Sequence, residues 1–262
     1  MLPFERLRYL ARYAGDDREL AIEAAQCLGE FGDDIPGLVT SCRRLLAHHV
    51  ANGPLWWVCS RIVTAPDPAD GARDAIAMLS KDRTAARLAS TLPFPHDEPV
   101  AVVGWPETIA SALAERPDLH VLSVRVASRH GARGRLGGAA PSVRPVDEIE
   151  AIALEPTHLL VEARAAGGTS AIVPAGTVDL LDSLPGAVLW LVAPVGTVLP
   201  ERLFAVLARQ LEDRDEVDAA DADTELVALA RAAQVAGPDG PQPPQALQHR
   251  VDCPVAPELL RF

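Results

Sequence analysis

Val100-Ala101-Val102-Val103-Gly104-Trp105-Pro106 leads into Glu107-Thr108-Ile109-Ala110-Ser111-Ala112-Leu113-Ala114-Glu115, and His120-Val121-Leu122-Ser123-Val124-Arg125-Val126 follows. A compact apolar run ending in glycine reads as a strand buried on both faces. Pro106 opens a helix, because the amide it lacks would have no partner in the first turn. The apolar period then returns to that of a strand over His120 to Val126. Strand, turn, helix and strand make a βα unit, whose helix is the crossover between parallel strands.

Downstream the alternation continues. A helix is expected from Val146 to Leu154, a strand from His158 to Glu162, a helix from Pro174 to Leu184 and a strand from Val188 to Ala193. Two more helices are expected, from Pro200 to Leu211 and from Asp223 to Val235, then a Gly/Pro/Gln loop over Gly237 to Pro244 and a tail returning to the sheet edge. Upstream the pattern is helical from Leu2 to about Leu92. Asp16 and Asp17 are N-cap candidates, Pro36 lies in a first turn, Asn52-Gly53-Pro54 reads as a turn, and one helix is expected from Asp67 to Leu92. Leu55-Trp56-Trp57-Val58-Cys59 is an apolar run of either type. Pro93, Pro95 and Pro99 cannot propagate a helix. The expected organisation is a helical N-terminal domain over 1–92, a linker over 93–99 and an α/β domain over 100–262, a Rossmann-like parallel sheet with flanking helices.

The 262 residues carry 36 acidic and 24 basic side chains, a net charge of −12 that repels a phosphate backbone and makes nucleic acid an unlikely partner. Cys27, Cys42, Cys59 and Cys253 have no metal-ligand spacing and read as buried thiols of a reducing compartment. No apolar run spans a bilayer and the first residues carry Glu5, Arg6 and Arg8, so a cytoplasmic chain with no membrane, metal or cofactor is expected.

In open α/β sheets ligands bind beyond the carboxyl ends of the strands. Four loops qualify there. Gly104 to Thr108 opens a helix, but Glu107 opposes a phosphate. Ser128 to Arg135 concentrates Arg129, Arg133 and Arg135 with His130 and Gly134, and suits either a phosphate or a solvated loop. Glu162 to Thr169 places an acid at a strand end, with Arg164, Gly167 and Gly168 behind it and Gly176-Thr177 further on. No Gly-x-Gly-x-x-Gly, Gly-x-Ser-x-Gly or His-Glu-x-x-His occurs.

Together these landmarks resemble the family containing the alpha, beta and delta subunits of eukaryotic translation initiation factor 2B and the methylthioribose-1-phosphate and ribose-1,5-bisphosphate isomerases. Arg129 with Gly134 is similar to the family's Arg-Pro-x-x-x-Gly loop, and His158 to Gly168 to the strand ending in Gly-Ala-Asp. Gly176-Thr177 matches the Gly-Thr of Asn-Lys-x-Gly-Thr, Val188 to Pro194 the strand ending in Ala-Pro, and Val251-Asp252 with Pro257-Glu258-Leu259 the C-terminal motif. The resemblance implies a helical domain before a Rossmann-like one and pairing through the latter. It also implies that the isomerases' proton-moving cysteine falls at Pro106 and their aspartate at Arg164, neither of which can move a proton at neutral pH.

Three readings follow. In the first, the chain is a catalytically silent regulatory or assembly protein, a homodimer. It binds a phosphorylated sugar or nucleotide through Arg129, Arg133, Gly134, Arg135, Arg164, Gly167, Gly168, Gly176 and Thr177. In the second it is an aldose–ketose sugar-phosphate isomerase using Glu162. In the third it is a structural dimerisation module without a small ligand, pairing through Trp190 to Val195 and through Leu259-Leu260.

Overall fold

The structure is a computed structural model and describes residues 3–13, 15–126, 143–213, 223–249 and 252–261. Six helices come first: α1 (Pro3–Leu10), α2 (Asp17–Leu28), α3 (Ile35–His48), α4 (Gly53–Thr64), α5 (Pro68–Ser80) and α6 (Thr84–Thr91). Their starts follow the local chemistry. Asp16 accepts from the amides of Arg18 and Glu19, and Asp34, Asn52 and Asp67 cap α3, α4 and α5, each with proline in the first turn. The ambiguous Leu55 to Cys59 run is helical because it is buried all round at the centre of the helical layer, as expected of a helix apolar on every side. The single helix expected over Asp67 to Leu92 is two helices. Asp82 breaks it by accepting from Thr84 N and Thr84 Oγ1, which starts α6 in a new direction.

The second layer begins with β1 (Pro99–Val103), α7 (Glu107–Ala114), β2 (His120–Arg125), β3 (Val143–Asp147), α8 (Glu148–Ala153) and β4 (His158–Glu162). A short β5 (Ala165–Ala166) and β6 (Ser170–Pro174) follow, then α9 (Thr177–Ser183), β7 (Val188–Val192), α10 (Glu201–Glu212), β8 (Thr224–Ala228), β9 (Ala232–Gly237) and β10 (Gly240–Gln242). Seven strands form one sheet in the order β10-β9-β7-β4-β1-β2-β3. All its pairings are parallel except β9 with β10. The six parallel strands reproduce the Rossmann order, with the reversal of direction between β1 and β4. A second sheet, β5-β6-β8, is antiparallel.

Several expectations are corrected. Asp223 to Val235 is not a helix. Its residues favour helix, but β8 pairs with β6 and β9 completes the parallel sheet against β7, leaving only a 3-10 turn at Leu229–Arg231. Val146 belongs to β3, and Asp147 caps α8 through Glu150 N. The Gly237 to Pro244 tract is the β9–β10 hairpin and not an open loop. The C-terminal tail does not reach the sheet edge. Ser60 donates to Pro254 O, Arg61 to Asp252 O at 2.7 Å and Arg43 to Glu258 O at 2.6 Å, while Leu259 and Ala256 are buried among α3, α4 and α10.

The core around α4 includes Ala165 and Ile172 from the second sheet, Leu203, Phe204 and Leu207 from α10, and Cys253, Ala256 and Leu259 from the tail. The helical layer is thus closed by residues distant in sequence. Among the described residues no helix is long and apolar enough to cross a membrane.

Candidate functional site

At the switch point between β1 and β4, a cavity of about 480 Å³ opens between the carboxyl ends of the strands and the helical layer. Gly104 to Thr108 line one wall, Val124 to Val126 another, Glu162 to Arg164 the floor, and Asp16 to Arg18 of α2 the roof. Gly104 has φ +68, the left-handed turn that lets β1 stop and α7 start within three residues.

Arg164 and Asp17 join the layers across this cavity. The guanidinium donates through Nε to Asp17 Oδ2 at 2.7 Å and through Nη2 to Oδ1 at 2.8 Å, a bidentate pair. Asn52 Nδ2 donates to Asp17 O at 3.1 Å while its Oδ1 caps α4, and Gly53 N donates to Arg164 O at 2.9 Å. A second link lies nearby, where Asp82 Oδ2 accepts from Val195 N at 3.1 Å and stands 3.8 Å from Arg18 Nη1.

Glu162 closes β4 at the cavity floor. Its Oε1 accepts from Thr108 Oγ1 at 3.1 Å, at the start of α7, whose own N-cap Pro106 contributes no side-chain bond. Its Oε2 is buried and has no hydrogen-bond partner. Burial raises this carboxyl from 4.5 to about 8; the Thr108 bond and the Ile109 amide pull it down, and Asp16 and Asp17 push it further up. At neutral pH it is largely protonated and carries one O–H donor.

The structure places the expected residues unequally. Glu162 and Arg164 line the cavity together. Arg129, Arg133, Gly134 and Arg135 lie outside the described residues; the chain enters that stretch from Val126 on the cavity wall. Gly167 and Gly168 are not among the lining residues. They form the turn from β5 to β6, where Gly168 N donates to Glu201 Oε2 at 3.0 Å and a Cβ on Gly167 would lie 2.6 Å from the Phe204 ring. Gly176, at φ +85, starts α9 behind Val126, and the buried Thr177 donates to Pro174 O at 2.5 Å. Asp16 and Asp17 were not foreseen as site residues, and Thr108 was read only as part of a helix-opening loop. Asp16 and Asp17 read as helix starters, and no spacing rule ties a residue near position 17 to one near 164. Among the described residues no three His, Cys, Asp or Glu side chains form a metal-binding group.

This arrangement, a helical layer over a 3-2-1-4-5-6 sheet with the cleft at the switch point, defines the fold class. No family model and no curated protein sequence matches the chain. Solved structures of the same fold do. The translation initiation factor eIF-2B of Pyrococcus horikoshii OT3 superposes with a TM-score of 0.70 at 12% identity, over 92% of this chain and 97% of that one. The tetrameric eIF2B-beta2-delta2 complex of Chaetomium thermophilum gives 0.69 at 14%, over 94% and 92%. The 5-methylthioribose 1-phosphate isomerase of P. horikoshii OT3 gives 0.60 at 13%, over 94% and 86%. The fold expected from the sequence is therefore the one found.

Proposed function

We propose that this chain is a ligand-binding regulatory or assembly protein, that its ligand is a phosphorylated sugar or nucleotide held in the interdomain cleft, and that it forms a homodimer. One observation carries the reading. Arg164 stands where the resemblance puts the isomerases' proton-moving aspartate, and it is held in a bidentate pair by Asp17 with the cleft left open beside it. A guanidinium stays charged and moves no proton at neutral pH, so the position serves to fix the cleft walls. Pro106, at the other position of the pair, is the N-cap of α7 on the cavity wall and has no group that can move a proton. Arg129, Arg133 and Arg135 supply the charge that a phosphate would need, on a stretch leaving the cavity wall at Val126.

The homodimer is carried over from the resemblance, and one neighbour of this fold is a tetrameric complex. The contacts considered from sequence are less accessible than a free interface requires, since Trp190 is an interior residue of the sheet and Leu259 is buried within the chain.

The test is thermal melting of the purified chain with ribose phosphates, methylthioribose phosphate and purine nucleotides, since a ligand of the native state raises its apparent stability. The expected result is a selective rise with one class and no incorporation of solvent deuterium into a bound ribose phosphate. Incorporation that disappears in Glu162→Gln would replace this reading by a second one, an isomerase using Glu162. The observation favouring that second reading is the carboxyl raised to about 8 on the cavity floor, where a group exchanging protons near neutrality is placed for acid–base work.

A further inference from the structure

Where a sheet of this order binds an anion, the seat is the amino end of the helix after the first strand. Here the protein fills that seat itself. Glu162 Oε1 takes the Thr108 hydroxyl at the start of α7, and Glu107 adds a second carboxyl in the first turn. A phosphate placed there would meet two acidic side chains.

The rest of the inner cavity has the same sign. Six carboxyl side chains line it against three guanidinium groups. Arg164 is engaged by Asp17, and Arg18 donates to Leu79 O beside Asp82. Arg125, at the exposed end of β2, lines the cavity as well, together with Asp16, Glu107 and Asp223. Even with Glu162 protonated, five carboxylates line the cavity against three guanidinium groups, so its field favours a cation. Glu162 also has an orphaned acceptor: Oε2 is shut off from water without a partner, although the side chain borders the cavity. An unmade hydrogen bond of that kind costs on the order of 1–3 kcal/mol.

We propose that the inner end of the cleft receives a primary ammonium group, so that the ligand is an amine-bearing small molecule and Glu162 is the carboxylate that binds it. The inference rests on the reading of the cleft as a ligand site. A small rotation of the half-buried side chain turns Oε2 to the cavity, and the ammonium supplies the missing donor. Arrival of the cation ionises the carboxyl, so the proton held there in the free protein leaves to solvent. Asp16 and Asp17 above it and Glu107 beside it favour the cation, and Arg164, tied to Asp17, is the opposing charge nearest in sequence.

The experiment uses two probes that differ by one group, galactosamine 1-phosphate and galactose 1-phosphate, titrated by calorimetry into the full chain and its Glu162→Gln variant. The expected result is an affinity about ten- to hundredfold higher for the amine, the range for a charge-assisted hydrogen bond, with net proton release at pH 7. The preference should vanish in Glu162→Gln, whose amide can keep the Thr108 bond and whose folding is checked by its melting transition. Equal affinity of the wild-type chain for the two probes overturns the ammonium site and leaves the cleft reading standing. No binding of either probe, together with no thermal shift from any sugar phosphate or nucleotide, overturns both.

Discussion

Burial is the main force on the Glu162 carboxyl, and it has a consequence for the stability of the chain that needs no ligand. The group titrates at about 8 in the folded protein against 4.5 as its ordinary value. A raised folded value means that the native state binds the proton more tightly than the unfolded chain does. The resulting stabilisation is complete below about 4.5 and is lost as pH rises through 8. Glu162→Gln, which cannot ionise, should flatten this fall. Urea denaturation of both proteins between pH 5 and pH 8 is the measurement, and the wild-type chain should lose stability relative to the variant by up to about 1.4 kcal/mol per pH unit. Parallel curves would show that Glu162 is ionised in the native state. The sequence announced Glu162 as an acid at a strand end, but its environment was not legible. Thr108, Asp16 and Asp17 come to it from 54 to 146 residues away, through the order of the strands rather than any local spacing. Arg164 was legible as a departure from an acidic position, and its partner Asp17 was hidden in a helix start.

At the scale of elements, β1, β2, β4 and β7 could be read because runs such as Val100 to Val103 and Leu189 to Val192 are continuous, apolar and buried, whereas β3, mostly exposed at the sheet edge, carries no such run and was not read. The failures cluster where propensity and environment disagree. Leu226 to Val235 is rich in alanine and leucine, yet pairing with β6 and β7 overrides that preference, and no feature within the segment encodes its neighbours. Joints between elements are also set by distant atoms. Gly53 reads as part of a turn, whereas it is the first residue of α4 and lies against β5. A Cβ there would stand 2.5 Å from Arg164 O and 3.0 Å from Ala165 Cα, both backbone atoms that cannot turn aside. Gly53→Ala should therefore cost about 1–3 kcal/mol, as overpacking does. Gly186→Ala, in open space on the β7 side, serves as the control and should be near neutral in the same urea titration. A neutral Gly53→Ala would mean that α4 and β5 can separate without loss.

For the whole molecule, the composition shift near Pro93 and Pro95 marks where helix gives way to sheet, but the two layers do not have separate cores. The α4 core is completed by α10 and by a tail that ends more than 190 residues beyond it, and the Asp17–Arg164 pair ties the layers at the cleft. An arrangement whose helical layer is finished by the last residues of the chain should unfold in one step. Hydrogen exchange followed by mass spectrometry across a denaturant series is the measurement, comparing peptides that cover α4 and β7. Both should open with the same midpoint. Leu259→Ala, which removes a fully buried side chain in the tail, should lower both midpoints together, by about 2–5 kcal/mol of stability. If α4 alone opened early in that variant while β7 kept its midpoint, the layers would be independent units, and the cleft between them could change shape without unfolding either. Concerted opening would instead fix the cleft at the width the Asp17–Arg164 pair allows, so that ligand binding and the stability of the whole chain rise and fall together.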